Sequence, residues 1–148
     1  MFKTITIGID GSDASINALR AACDMAQRFG AQLHLVHTPQ PQTVAFALGA
    51  VPGYDMATTM PSQAEVEDAA QKVLARGLEI AKEMGQPVAE TYSQRGDPIA
   101  QIIKVAEACG ADLIVTGRRG LGNLGALILG STSLGIANRA RCAVLSVP

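Results

Sequence analysis

The sequence predicts a single α/β domain built on a doubly wound parallel sheet of five strands with helices on both faces. Short runs rich in β-branched residues alternate with longer segments of helical periodicity, which is typical of βαβ units. The chain has 148 residues, a common size for one domain with one core. Hydrophobic residues make up 48% of it and charged residues 17%, which favours a compact protein with covered central strands. We therefore expect residues 1–148 to form one domain.

The first part of the chain predicts a strand, a helix and a second strand. The run Thr4–Ile9 predicts the first strand, and Asp13–Phe29 predicts a helix because its apolar residues recur at helical spacing. Gly30 follows as a typical helix end. The second strand is expected at Gln32–His37. Segment 38–61, with four prolines, is too long for an ordinary turn, and we expect a mobile or partner-facing loop.

The second part of the chain predicts three more strands, each preceded by a helix. We expect helices at Ser62 to about Met84, Pro98 to Gly110 and Ser131–Ala140, and strands at Val88–Ser93, Asp112–Gly117 and Cys142–Val147. Asp97 can cap the middle helix, and Pro98 has the backbone angle favoured at a first helical position. Such a Rossmann-like sheet binds ligands beyond the carboxyl ends of its strands. The turn Asp10–Ser12 and the loop Arg118–Gly130 are therefore the segments of greatest interest.

Charge and hydropathy exclude several classes of partner. The formal net charge is −1, from 12 Lys and Arg against 13 Asp and Glu, so no global field attracts nucleic acid or an anionic membrane. The sequence contains no apolar run of about 18 residues and no secretory leader pattern. We expect a cytoplasmic protein that binds neither nucleic acid nor membrane. Three cysteines far apart in sequence argue against a disulfide framework and a zinc site.

The C-terminal quarter of the chain is locally electropositive. Residues 113–148 contain no Asp or Glu but four arginines, Arg118, Arg119, Arg139 and Arg141. Glycines in the loop let the backbone approach a ligand closely, and Ser131–Ser133 open a helix whose unpaired N–H groups favour an anion. This combination fits a phosphate chain. The alternative is a glycine-rich turn in which Ser131 serves only as the helix N-cap.

Two other nucleotide-binding motifs do not fit the sequence. Gly120–Gly125 spells G-x-G-x-x-G after a predicted strand. The next helix begins only near Ser131, however, and no acidic residue follows to hold a ribose 2′-hydroxyl. A Walker A loop is excluded because the chain has no Gly-Lys-Ser/Thr sequence.

The loop after the fourth strand resembles that of nucleotide-binding universal stress proteins. The spacing Gly117-x2-Gly120-x9-Gly130-Ser131 matches the G-x2-G-x9-G-(S/T) motif of that family. Segments 7–12, 96–98 and 142–147 are also similar to the family in order and spacing. The resemblance therefore covers the whole chain and is weakest between about Pro39 and Gln86.

The resemblance implies an adenine-nucleotide site. Asp10 would contact the ribose or adenine side, with Gly8 and Ile9 alongside, and a carboxylate suits ribose hydroxyls better than phosphate. Thr38 would lie near adenine, although many members have an aliphatic residue there. The remaining candidates would surround the phosphates: Thr116, Gly117, Arg118, Gly120, Gly130, Ser131, Thr132 and Ser133. The implied ligand is ATP, ADP or AMP, with any Mg²⁺ carried by the nucleotide.

The leading hypothesis is a regulatory binding module with little or no hydrolysis. The only histidines, His34 and His37, lack an evident catalytic partner, so we assign no catalytic or metal-binding residue. Two alternatives stay open: a stress-associated structural dimer that does not use nucleotide, and an enzyme that transforms adenosine phosphates. The resemblance also implies a homodimer through strand 143–147, an apolar segment at an expected sheet edge.

Overall fold

The computed structural model describes residues 1–41, 44, 61–120 and 129–148. Five parallel strands pair in the order β3-β2-β1-β4-β5, which confirms the predicted doubly wound α/β fold. The strands are β1 (Thr4–Ile9), β2 (Gln32–His37), β3 (Glu90–Ser93), β4 (Leu113–Gly117) and β5 (Ala143–Val147). The helices of the described residues that join them are α1 (Asp13–Phe29), α2 (Gln63–Glu83), α3 (Pro98–Ala108) and α4 (Ser131–Arg139).

Two apolar layers cover the two faces of the sheet. Ile7 and Leu35 pack with residues of α1 and α2 in the first layer. Val36 and Ile114 pack with residues of α3 and α4 in the second layer. Successive strand residues point to opposite faces, so the central strands β1, β2 and β4 are buried along most of their length.

Helix caps fix where the chain turns at the sheet edges. The side chains of Ser12, Ser62 and Asp97 accept hydrogen bonds from the first turns of α1, α2 and α3, as polar N-caps do. Gly30 ends α1 with φ 64°, a left-handed conformation that favours glycine. These four caps lie where the sequence predicts helix ends.

A few element boundaries differ from the predicted ones. The third strand begins at Glu90 rather than Val88, because Pro87 has no N–H to donate and Val88 packs against the first apolar layer. β4 and β5 each begin one residue later than predicted, and α4 ends one residue earlier. The predictions for most of segment 38–61 and for residues 121–128 lie outside the described residues.

The winding of the chain reverses between β1 and β4. The helices that follow β1 and β2, α1 and α2, lie on one face of the sheet. The helices that follow β3 and β4, α3 and α4, lie on the other face. β1 and β4 are neighbours, with Gly8 paired to Thr116, so the segments that follow them diverge at the carboxyl edge of the sheet. Such a point is where doubly wound sheets bind ligands. Within the part of the chain that is described, no helix is long and apolar enough to cross a bilayer.

Candidate functional site

The carboxylate of Asp10 is held in place at the end of β1. Its Oδ1 accepts hydrogen bonds from the Ser12 backbone N–H at 2.9 Å and from the Ser12 hydroxyl at 2.5 Å. Oδ2 lies on the side of Gly120, where an added Cβ would approach it to 2.8 Å. The site residues Asp10 and Gly120, distant in sequence, therefore lie side by side.

Two glycines bring the ends of the glycine-rich loop together. A Cβ on Gly117 would lie 2.8 Å from backbone atoms of Ala14 and Ser15, so the end of β4 packs directly on the first turn of α1. The Gly130 N–H donates to the Arg118 carbonyl oxygen at 2.7 Å, and the Arg118 N–H donates to the Val147 carbonyl oxygen at 2.6 Å. The start of α4 is thus fixed beside the end of β4.

The N-terminus of α4 faces this edge without a side-chain cap. Its N-cap is Gly130, which makes no side-chain hydrogen bond to the helix. The alternative that Ser131 is the N-cap is therefore wrong, because Ser131 is already the first helical residue. The N–H groups of Ser131, Thr132 and Ser133 have no intrahelical acceptor in an α-helix. Together with the helix dipole they favour an anion.

Ser133 and Thr116 join α4 to β4. The Ser133 hydroxyl donates to the Gly117 carbonyl oxygen at 2.5 Å and accepts from the Thr116 hydroxyl at 3.4 Å. Ser133 is 2% exposed and Thr116 4%, so both side chains are used within the protein. A role of Ser133 as a phosphate donor therefore depends on its backbone N–H.

Gly8 and Ile9 lie within the sheet, just below its carboxyl edge. A Cβ on Gly8 would meet Cδ1 of Ile102 at 2.6 Å, so α3 is seated directly on the end of β1. The side chain of Ile9 belongs to the first apolar layer, and its carbonyl oxygen accepts from Nδ1 of His37 at 2.8 Å. These two residues shape the floor of the site.

Four buried polar atoms at this edge have no hydrogen-bond partner. They are Nε2 of His37, Oγ1 of Thr38, Oε1 of Gln101 and Nε of Arg118, and the finding is limited to the described residues. Buried polar side chains are usually bonded, because an unmet group costs free energy. His37 and Thr38 end β2, Arg118 follows β4, and Gln101 is in the first turns of α3. The carboxyl edge therefore has unused hydrogen-bonding capacity.

Sequence reasoning missed Gln101 and gave His37 no role at the edge. The available signal for Gln101 is its position four residues after Asp97, on a helix that begins at the carboxyl edge. Since Nδ1 of His37 donates to Ile9, Nε2 is the free acceptor. Burial lowers the pKa of His37 below its ordinary value, although the nearby charges of Asp10 and Glu67 act in the opposite direction. The ring is therefore neutral.

A second polar cluster of the described residues is formed by His34 and Tyr92. Nδ1 of His34 lies 3.3 Å from the hydroxyl of Tyr92, and the two rings stack. In the described ranges, no group of three or more His, Cys, Asp or Glu residues could hold a metal ion. A cleft of about 310 Å³ lies between α1 and α2 and reaches Gly11 and Asp13. It lies on the α1–α2 face and is also lined by Ile9 and Ser15, so it borders the Asp10 turn, although none of the four residues with unpartnered atoms belongs to its lining.

Comparisons with known proteins agree with the fold. The model of the universal stress protein family matches residues 1–148. A curated universal stress protein of Thermus aquaticus is 36% identical over 151 aligned positions, which cover 99% of each chain. The chain therefore belongs to the universal stress protein family.

Solved structures of the family superimpose on nearly the whole chain. A universal stress protein in complex with cAMP has a TM-score of 0.71 at 26% identity and covers 99% of this chain and 97% of that one. A universal stress protein from Lactobacillus plantarum has a TM-score of 0.76 at 23% identity, with the same coverage. The second likeness supports the fold alone.

Proposed function

We propose that this universal stress protein is a cytoplasmic regulatory module that binds an adenine nucleotide, ATP, ADP or AMP. Binding takes place at the carboxyl edge of β1 and β4, and hydrolysis is slow or absent. The observation that carries the proposal is the placement of the Asp10 carboxylate beside Gly120 and of the uncapped N-terminus of α4 beside Gly117.

These two groups suit opposite ends of a nucleotide. A carboxylate accepts hydrogen bonds from ribose hydroxyls and repels phosphate. The α4 N-terminus favours phosphate, and the Arg118 guanidinium, with its buried Nε unpartnered among the described residues, adds positive charge. The unmet atom of Thr38 lies on the β2 side of Asp10, where the base would extend. The cAMP bound to a relative with 26% identity supports the same ligand class.

Regulation rather than turnover is the better match to the chemistry of the site. Loop 118–130 contains no acidic residue that could hold Mg²⁺, so any Mg²⁺ arrives on the nucleotide. His37 is fully buried and bonded to Ile9, and the Asp10 carboxylate is occupied by Ser12. His37 is buried at the end of β2 and Asp10 is assigned to the ribose, so we assign neither group to the activation of a water molecule at the phosphates.

A homodimer is part of the proposal. β5 is the last strand of the sheet order and is only partly buried. An edge strand presents unpaired backbone groups to another chain. Pairing of two β5 strands would satisfy these groups and join two nucleotide sites through α4.

Calorimetric titration of nucleotide-free protein with ATP and AMP tests the proposal. We expect stoichiometric binding in the micromolar range. Hydrolysis of ATP should be too slow to disturb the titration. Binding of neither nucleotide would favour the structural dimer, whereas rapid conversion of ATP would favour the enzyme.

A further inference from the structure

The side-chain oxygen of Gln101 is an unused acceptor at the carboxyl edge of the sheet. Oε1 is buried and has no partner among the described residues. A carbonyl oxygen without a donor loses the hydrogen bonds that it makes with water in the unfolded chain. A ligand that brings an N–H group to this point would restore them.

Contacts around Gly96 fix the orientation of the Gln101 amide. An added Cβ on Gly96 would lie 3.1 Å from Nε2 of Gln101, and Gly96 has φ 122°, which favours glycine. The amide nitrogen therefore packs against Gly96, which leaves Oε1 on the other side. Substitution of a larger residue at Gly96 would displace the amide.

The same corner contains the second unmet group, the Thr38 hydroxyl. The Gly96 carbonyl oxygen accepts from Nε2 of Gln40 at 3.1 Å, and Gln40 is two residues beyond Thr38. Ile102, the neighbour of Gln101, lies on Gly8, two residues before Asp10. Thr38, Gln101 and Asp10 therefore belong to adjoining segments of the carboxyl edge.

We propose that Gln101 and Thr38 read the six-position edge of the purine and make the site specific for adenine. Oε1 of Gln101 accepts a hydrogen bond from the exocyclic 6-amino group, and the Thr38 hydroxyl donates to ring nitrogen N1. Hypoxanthine and guanine carry an oxygen at position 6, which would set two acceptors against each other at Oε1 of Gln101. Their proton on N1 can still bond the Thr38 hydroxyl, which both donates and accepts, so Gln101 carries the discrimination between the bases. This inference rests on the proposed nucleotide function and adds base specificity to it.

Calorimetry with three ligands distinguishes the contact of Gln101 from the contact of Thr38. AMP offers both groups, the 5′-monophosphate of purine riboside keeps N1 but lacks the 6-amino group, and IMP carries an oxygen at position 6 and a proton on N1. For the unchanged protein we expect AMP to bind about tenfold more tightly than the purine riboside monophosphate, the value of one good hydrogen bond. IMP should bind more weakly than either.

Variants then assign the contacts to residues. Gln101→Met, which keeps the side-chain length but removes the acceptor, should bring the ratio of the two dissociation constants close to one. Gln101→Glu keeps an acceptor oxygen and should retain the preference for AMP. Thr38→Val should weaken both ligands about equally, because both contain N1. Gln71→Met, on the exposed side of α2, is the matched control and should bind like the unchanged protein.

The ratio within each protein separates base reading from a general loss of folding. If the unchanged protein binds AMP and the purine riboside monophosphate equally, or if Gln101→Met keeps a tenfold preference, base reading by Gln101 is wrong while nucleotide binding stands. If the unchanged protein binds none of the three ligands, the proposed function itself fails, and the inference fails with it.

Discussion

The hydroxyl of Ser133 donates a hydrogen bond to the carbonyl oxygen of Gly117 at 2.5 Å, and this bond ties the first turn of α4 to the last residue of β4. The bond places the uncapped helix N-terminus next to Gly117, three residues before the glycine that faces Asp10. It is short and requires no ligand, so under the proposed function the phosphate end of the site is formed before a nucleotide arrives. Binding to a preformed site has a lower entropic cost.

Removal of this hydroxyl should cost stability. Ser133→Ala leaves the Gly117 carbonyl and the Thr116 hydroxyl with one partner fewer, and we expect a loss of about 1–2 kcal/mol in the free energy of unfolding. Denaturation in urea measures it. Ser131→Ala, at an exposed position of the same turn, should change stability by less than about 0.5 kcal/mol. Equal stability of the two variants would contradict the account of Ser133.

Asp10 should determine preference for the ribose hydroxyls. In Asp10→Asn the amide oxygen can still accept from Ser12, but the second oxygen is replaced by a donor. We expect AMP to lose most of its advantage over 2′,3′-dideoxy-AMP, a change of about tenfold in the ratio of dissociation constants. Calorimetry with both ligands measures this ratio. An unchanged ratio would mean that Asp10 has only its structural role in the turn.

A branched side chain at Gly130 should abolish nucleotide binding. An added Cβ at this position already lies 3.1 Å from the Arg118 carbonyl oxygen, and the further methyl groups of Gly130→Val would cover the α4 N-terminus. The backbone angles at Gly130, φ −69° and ψ 158°, are open to valine, so we expect the fold to persist. Calorimetry together with circular dichroism checks both points. Normal affinity in a folded variant would remove α4 from the site.

Proline on the outer side of β5 should separate the dimer. The Val147 carbonyl accepts from Arg118 of the same chain, and N–H and C=O of one residue point to the same side of a strand. The backbone N–H and C=O groups of the adjacent Ser146 therefore point away from β4. Ser146→Pro removes an outward N–H without breaking a bond to β4, and light scattering after size-exclusion chromatography should show monomers. Persistence of the dimer would place its interface elsewhere.

The buried His37 should make stability depend on pH. Its pKa is lowered in the folded protein from an ordinary value near 6.5, mainly by burial. The unfolded chain therefore takes up a proton first, so the free energy of unfolding falls as the pH drops below about 6.5. Asp10 and Glu67 limit this loss, since their charges favour the protonated ring. Between pH 7 and 5, His37→Gln should show a flatter profile than the unchanged protein, and equally steep profiles would contradict this account.

Much of the fold can be predicted from local patterns in the chain. β1 and β2 are apolar runs bounded by turn residues, and α1 lies between a Ser cap and a terminal glycine, so their bounds are correct to the residue. The predicted start of α4 at Ser131 is also correct, although its cap is not the one that side-chain preference suggests. Ser131 has a better capping side chain than Gly130, but the bond from Gly130 to Arg118 decides the boundary.

The candidate site is only partly visible in the sequence. The spacing of Gly117, Gly120 and Gly130 indicates a phosphate loop, and Asp10 is expected because it ends a central strand. The signal for Gln101 is weak, since it is only a position near the start of a helix at the carboxyl edge and glutamine on a helix is usually solvated. The helix that carries it packs on β1 through Ile102 and Gly8, a contact between distant parts of the chain that no local pattern reveals.

The most direct test of nucleotide binding is the identification of what the protein carries from the cell. Freshly purified protein is denatured, and the supernatant is separated by ion-pair chromatography against adenine and guanine nucleotide standards. We predict an adenine nucleotide in near-stoichiometric amount from the unchanged protein and a much smaller amount from Gly130→Val. An unchanged protein that releases no nucleotide, and that also fails to bind added ATP or AMP, would contradict the proposed function.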